Sequence, residues 1–314
     1  MRLSVSLGLW QDRPAGEAVR TAQIADEHGY PEIWVGEMAT YDAFALATAI
    51  GMRTDHVALT VGPLAVTVRD PMMIAMGAAS VAELTGRQVN VALGTSSPMV
   101  VEQWHGRSRA GSATALRESV MALRPLLDGK KSGFSGTRLS STGYRLRLPA
   151  PRSELTVAAF GPAAVGAAAL ADRMVLNLLT PASAARLITD LRLLSRTTRV
   201  AAWVTAAVDP DAPAIEQIRR GVLPYLAAPG YGEMFAEAGF EDVVWYARSG
   251  PHPKELLAAI PDALLESVAL IGDSVEIMDR LDAYAEAGVD EVALVPVSTE
   301  ADPFGEATLK ALAE

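Results

Sequence analysis

Three short stretches hold the residues best suited to chemistry. Glu37 follows the strand-like run at residues 32–36, Thr95, Ser96 and Ser97 follow Gly94, and Gly161, Pro162 and Ala163 follow Phe160. A carboxylate among apolar neighbours can deliver a proton, with a hydroxyl such as Ser97 or a water as the other candidate. The same carboxylate could instead bind backbone N–H groups or Arg69 and serve only the structure. At the third stretch Gly161 admits close backbone approach, and Pro162 suits the first position of a helix, where its missing N–H costs nothing. The N–H groups of the next turn then face an anion such as a phosphate, aided by the helix dipole. An ordinary strand-to-helix turn would read the same way. Gly161 and Gly166 have P-loop spacing, but Ala167 and Ala168 stand where Lys and Ser or Thr are required, so no triphosphatase follows.

Composition removes most other chemistries. The chain has no cysteine, which excludes disulfide frameworks, thiolate nucleophiles and Cys-ligated zinc. Its lysines (Lys130, Lys131, Lys254, Lys310) avoid the strand ends, against a Schiff-base enzyme. Its histidines (His28, His56, His105, His252) are scattered without paired spacing, so no metal site is expected. Glu37 lacks the second carboxylate that glycoside hydrolysis requires. The remaining candidates at strand ends, Trp10, Met38 and Leu64 among them, are apolar. Such an inventory suits a reaction whose hard chemistry is carried by a bound cofactor.

These residues fall at the ends of short β-type runs that alternate with amphipathic helical stretches. The runs cover residues 3–9, 32–36, 57–61, 89–93, 155–159, 174–177, 200–208 and 291–295. Eight strands, each followed by a helix, imply right-handed parallel crossovers and an α/β fold of the (β/α)8 TIM-barrel type. An open doubly wound sheet is the alternative, disfavoured because no GxGxxG follows a strand. The 314 residues exceed the roughly 250 typical of a barrel. The surplus falls in a Gly/Ser/Arg/Pro-rich surface hairpin at about residues 129–151 and a proline-split helical insertion at about 209–267, after strand 7. A single domain spanning 1–314 is expected.

Lys plus Arg number 27 against 37 Asp plus Glu, a net charge of -10. That balance repels phosphodiester backbones and anionic lipid, so neither nucleic acid nor membrane is expected as a partner. The N-terminal apolar stretch meets Asp12 too soon for a signal peptide. The longest uncharged run, residues 155–171, is broken by Gly161-Pro162. A cytoplasmic protein acting on a small molecule is expected, and a homodimer is permitted.

Several segments in order along the chain resemble the luciferase-like monooxygenase superfamily, and within it bacterial oxidoreductases that use the deazaflavin coenzyme F420. They are Glu32-Ile33-Trp34-Val35-Gly36-Glu37, residues 59–71 (LTVGPLAVTVRDP), Leu84-Thr85-Gly86-Arg87 with Val91-Ala92-Leu93-Gly94-Thr95, and Gly94-Thr95-Ser96-Ser97-Pro98 with Glu102-Gln103-Trp104-His105-Gly106. Gly161-Pro162, Leu178-Leu179-Thr180-Pro181, Leu270-Ile271-Gly272-Asp273 and Ala287-Gly288-Val289-Asp290 complete the series. The resemblance implies a deazaflavin ring across the strand C-termini, near Thr95 and Ser96. It puts the phosphate at Gly161–Ala163, close to Leu179 and Thr180. It also implies a cis peptide in strand 3 that bulges against the ring, aligned here with Gly62–Pro63 and followed by Leu64. A proline lowers the cost of the cis form from roughly 3 kcal/mol to about 1 kcal/mol.

The implied reaction is hydride transfer between the deazaflavin and a small organic substrate, in a pocket of Trp10, Met38, Trp104 and His105, with Glu37 and Ser97 as candidate catalytic groups. Trp104 and His105 could equally pack under their loop or form a subunit interface. Met38 and Ser97 stand where sugar-phosphate-oxidising relatives carry His and Glu, which speaks against that substrate class. Asp172-Arg173 replaces an Asp-Gly pair and has no reading from sequence. Arg107 and Arg109 could meet an acidic cofactor tail or be solvated. Trp245 and Tyr246 could cap the substrate or form a satellite core. An FMN-dependent monooxygenase and a non-catalytic flavin-binding barrel are the alternative readings.

Overall fold

The computed structural model describes residues 1–8 and 14–313; Trp10 lies outside the described residues. Its strands are β1 (Arg2–Ser6), β2 (Glu32–Val35), β3 (Ala58–Ala65), β4 (Val89–Gly94), β5 (Gly133–Ser135), β6 (Ser140–Thr142), β7 (Leu155–Ala158), β8 (Arg173–Asn177), β9 (Arg199–Val208), β10 (Ala269–Gly272) and β11 (Glu291–Pro296). Among the described residues, β1, β2, β3, β4, β7, β8, β9 and β11 pair in parallel and close on one another through β8–β9 and β11–β1. This is an eight-stranded (β/α)8 barrel. The β5–β6 hairpin is antiparallel and stands apart from it.

Side-chain alternation builds the barrel. Ile33 and Val35 join the large apolar cluster beneath the helices, whereas Trp34 joins an interior cluster with Ala92, Val175, Ala201, Trp203 and Ala293. The interior is filled, as parallel barrels are: Trp34 and Trp203 meet edge to face, with ring centroids 5.7 Å apart. Five of the helices begin on a residue whose side chain caps them. Asp42, Asp70, Thr180, Asp211 and Asp273 accept hydrogen bonds from N–H groups two or three residues ahead, satisfying donors that the first helical turn leaves unpaired.

The structure departs from the expected elements in three places. The third strand does not stop at residue 61 but continues to Ala65, with its register against β4 shifting between Val61 and Leu64. The Gly62–Pro63 peptide is cis and Gly62 has φ +121°; a Cβ on Gly62 would lie 2.2 Å from the Ala92 carbonyl oxygen. A further parallel strand, β10, emerges from the second insertion and pairs with residues 205–208 of β9, beyond the point where β8 has ended. Its four residues, Ala269-Leu270-Ile271-Gly272, are too short a run to separate from the helices around them. Finally, the stretch after β4 contains a π-helix, Met99–Trp104, ahead of the helix Ser112–Leu127.

No helix among the described residues is long and apolar enough to cross a membrane.

Candidate active site

A cavity of about 720 Å³ opens beyond the C-terminal ends of β2, β3 and β4. The loop after β2 contributes Glu37 to Asp42, the segment after β3 contributes Val68, Arg69, Asp70 and Met73, and the segment after β4 contributes Ser96, Val100, Trp104 and His105. Parallel barrels build their sites at this end.

The wall is held together by Arg69. Its Nε donates to Glu37 Oε1 at 2.7 Å, and its Nη2 donates to Glu37 Oε2 and to Asp42 Oδ2. The guanidinium also lies over the Phe44 ring, 5.4 Å from its centroid. Glu37 Oε2 accepts in addition from the Ala43 N–H at 3.0 Å. Asp42 caps the helix Ala43–Gly51 through the Phe44 and Ala45 N–H groups, both at 3.0 Å. Burial works against the charged form of Asp42, yet the Arg69 hydrogen bond and charge and the backbone donors outweigh it and hold the carboxyl below its ordinary value. The Glu37 hydrogen bond leads in pushing Arg69 above its ordinary value, against the cost of burial. Asp70 caps the helix Pro71–Thr85 through the Met73 N–H at 2.9 Å. Two capped helix starts thus converge on one arginine-braced wall.

Of the residues singled out from sequence, Glu37, Met38, Ser96, Trp104 and His105 line this cavity. Ser97 does not; its Oγ accepts from the Val100 N–H at 3.3 Å at the start of the π-helix. Thr95 accepts from Arg109 Nη2 at 3.2 Å. Leu64 is fully buried and Pro63 half-buried in the β3 bulge, and a Cβ on Gly94 would lie 3.3 Å from the Pro63 ring.

Gly161, Pro162 and Ala163 open the helix Pro162–Ala168. The first hydrogen bond of this helix runs from the Val165 N–H to the Gly161 carbonyl at 2.9 Å, so the Ala163 and Ala164 N–H groups precede it. A Cβ on Gly161 would meet nothing within 4 Å, so the backbone there faces open space. Leu179 and Thr180 are buried. The Leu179 carbonyl accepts from the Tyr284 hydroxyl at 2.7 Å, and Thr180 caps the helix Pro181–Leu194 through the Ser183 N–H at 3.1 Å.

Sequence reasoning missed Asp42, Asp70, Tyr41 and Met73 as wall residues. An Asp ahead of an apolar helical run was the signal that could have found the first two. Trp245 is 77% exposed and forms no satellite core. The insertion instead brings Tyr231 onto Phe160, stacked at 4.1 Å, with Tyr225 edge-on to Tyr231 at 4.8 Å. The Tyr231 hydroxyl donates to the Asn177 carbonyl at 3.2 Å. Burial, with Tyr225 beside it, raises the Tyr231 phenol well above its ordinary value.

Residues 3–291 match the family described as luciferase-like monooxygenase. The chain is 23% identical over 338 aligned positions, 96% of both chains, to a Mycobacterium tuberculosis protein named as a coenzyme F420-dependent oxidoreductase. In structure it is similar to the coenzyme F420-dependent tetrahydromethanopterin reductase from Methanopyrus kandleri, with a TM-score of 0.84 at 16% identity over 100% of this chain and 98% of that one. It is also similar to the FMN-bound oxygenating constituent of 3,6-diketocamphane monooxygenase from Pseudomonas putida, with a TM-score of 0.72 at 15% identity over 100% and 97% of the two chains. With that match across most of its length, and a closed parallel barrel beneath its cavity, the chain belongs to the luciferase-like monooxygenase family.

Proposed function

We propose that this protein is a coenzyme F420-dependent oxidoreductase that transfers a hydride between the deazaflavin and a small organic substrate. One observation carries the reading: the cavity supplies walls rather than reagents. Both Glu37 oxygens accept hydrogen bonds from Arg69, and Asp42 and Asp70 are spent on helix caps. Met38, Val68, Met73, Val100 and Trp104 are apolar. Bond-making in such a cavity falls to a bound cofactor.

The residues present fit that group. The open backbone at Gly161, with the Ala163 and Ala164 N–H groups ahead of the first helical hydrogen bond, suits a phosphate ester. The half-buried Pro63 ring, in the β3 bulge at the strand ends, is an apolar surface against which a flat ring could rest. When bound, the deazaflavin supplies a carbon that accepts or donates a hydride. The chain's own part is positional. Met38, Val68 and Trp104 exclude water from one side of the cavity, and Arg69 keeps Glu37 and Asp42 in fixed orientation. Glu37 meets the cavity as an oriented acceptor. His105 and the hydroxyls of Ser96 and Tyr41 are the wall groups able to pass a proton to or from a substrate. The F420 relative aligned over 96% of the chain, and the higher structural similarity to an F420 enzyme than to an FMN-bound one, support the deazaflavin over FMN.

The test is a direct titration of the purified protein with coenzyme F420 and with FMN. Saturable F420 binding, with FMN at least roughly tenfold weaker (about 1.4 kcal/mol), is the expected result. The reverse order would move the protein to the FMN-dependent monooxygenases, and binding of neither would remove the redox reading altogether.

A further inference from the structure

Positive charge is segregated in this chain. Residues 107–152 carry ten of the 27 lysines and arginines but only two of the 37 acids. That stretch is a surplus of eight positive charges on a protein whose net charge is -10. It comprises the approach to the helix Ser112–Leu127, that helix, and the β5–β6 hairpin packed along it.

Elsewhere most arginines are neutralised at close range: Arg69 by Glu37 and Asp42, Arg173 by Glu32 and Glu291, Arg219 by Glu216 and Asp262, and Arg248 by Glu233. Within the stretch, Arg124 and Lys130 are paired, with Asp172 and Asp128. Arg107, Arg109, Arg117, Arg138, Arg145 and Arg147 have no carboxylate at ion-pair distance among the described residues, and all but the half-buried Arg109 are exposed.

Three of these guanidiniums are fixed by carbonyls instead, which orients them without cancelling their charge. Arg107 donates to Thr67 at 3.5 Å, Arg109 to Ser96 at 2.8 Å, and Arg138 to Ala110. The two acids are unavailable to them. Asp128 pairs with Lys130, and Glu118 is buried under the hairpin turn. There it accepts from the Thr137, Arg138 and Leu139 N–H groups at 2.8 to 2.9 Å. That clamp sets Arg138 of the hairpin beside the helix that carries Arg117.

We propose that this face docks a short carboxylate-rich peptide segment of a partner protein. Arginine forks match carboxylates in two-pronged geometry, which favours this ligand over a diffuse anion. The surrounding acidic surface repels a long phosphodiester chain or a planar anionic bilayer that would overrun the patch. Phe134 and Tyr144, the aromatics within the stretch, are half-buried and offer no stacking platform for bases. Between the arginines, Arg145-Leu146-Arg147-Leu148 buries Leu146 but leaves Leu148 40% exposed, an apolar contact that a peptide can use and a free anion cannot.

The test uses the full-length protein and a fluorescein-labelled hexaglutamate peptide, followed by anisotropy at low and at physiological salt. Binding that is saturable, weakens with salt and falls roughly tenfold or more in both R117E/R138E and R145E/R147E is the expected result. The control K310E/R196E removes the same charge from exposed sites outside the patch and retains affinity within about twofold. Circular dichroism on each variant separates lost binding from lost fold. The proposal is overturned if the control loses as much as the patch variants, if well-folded patch variants bind as wild type, or if no binding occurs at low salt. It is equally overturned if duplex DNA or phosphatidylserine vesicles bind more tightly than the peptide, or if saturating coenzyme F420 displaces the peptide, which would give the patch to the cofactor's acidic tail.

Discussion

The guanidinium of Arg173 and the carboxylate of Glu32 form a two-pronged ion pair inside the barrel, Nη2 to Oε1 at 2.7 Å and Nη1 to Oε2 at 3.0 Å. Both side chains are buried, and Glu291 Oε2 takes a second bond from Nη1 at 2.9 Å. Arg173 Nε also donates to Thr156 Oγ1 at 3.1 Å, and the guanidinium lies 4.1 Å from the Trp34 ring centroid. Each partner opens its strand, so the cluster forms a polar floor beneath the Trp34–Trp203 layer, at the end of the barrel opposite the cavity. Conserving charge balance here is a matter of folding stability, because this end of a parallel barrel carries no chemistry.

Removing the cation leaves two buried carboxylates facing each other without it. Arg173→Met is expected to lower unfolding stability by about 3–5 kcal/mol, measured by urea denaturation, with the cavity unaffected in whatever fraction remains folded. A loss under about 1 kcal/mol would mean that water enters the floor.

Acid should act through the same group. Burial alone would raise the Glu32 carboxyl, but the Arg173 hydrogen bond and charge, with Thr60 and Arg2, hold it below its ordinary value. A carboxyl lowered in the fold contributes stability above its unfolded value of about 4.3, and that contribution is lost as pH falls through the folded value. Wild-type stability is therefore expected to fall more steeply than that of Glu32→Gln below about pH 4, as read from urea midpoints at a series of pH values.

The wall arginine predicts a milder outcome. Arg69 and Glu37 are about one-fifth exposed and Asp42 half exposed, so screening limits the worth of the pairs. Arg69→Met should cost only about 1 kcal/mol in stability while releasing Glu37 and Asp42. Cofactor or substrate affinity is expected to fall by roughly tenfold through lost orientation, measured by titration of the folded variant.

Two glycines should behave oppositely. Gly161 has extended backbone, φ 174°, and open space around a built Cβ, so Gly161→Val is expected to fold with stability within about 0.5 kcal/mol of wild type. The added side chain would occupy the room in front of the Ala163 N–H, and cofactor binding should weaken at least roughly tenfold. Unchanged affinity would place the phosphate elsewhere.

Gly62 combines φ +121° with a Cβ position 2.2 Å from the Ala92 carbonyl oxygen. Gly62→Ala therefore forces β3 and β4 apart, at a cost of roughly 1–3 kcal/mol or more. A thermal melt that matches wild type would show that the bulge yields freely.

The local pattern of this chain was enough to specify the barrel. Alternating apolar and small residues along eight runs, with helices capped between them, admit few other architectures, and Gly62-Pro63 marked the irregular strand within its own neighbourhood. Glu37 and Met38 were legible because strand ends locate a parallel barrel's mouth, and Trp104 and His105 through the family resemblance of residues 102–106. What depended on tertiary structure was pairing across long sequence distance. Arg173 has no reading beside Asp172; its meaning comes from Glu32 and Glu291, at the far ends of the chain. The choice between Glu37 as a free acid and Glu37 as an anchored acceptor likewise turned on Arg69, brought to it by a neighbouring strand. β10 and the Tyr225–Tyr231–Phe160 cluster emerged only once the second insertion had packed. Periodicity tells which face of an element is buried, but not which charged or aromatic group on another element will meet it there.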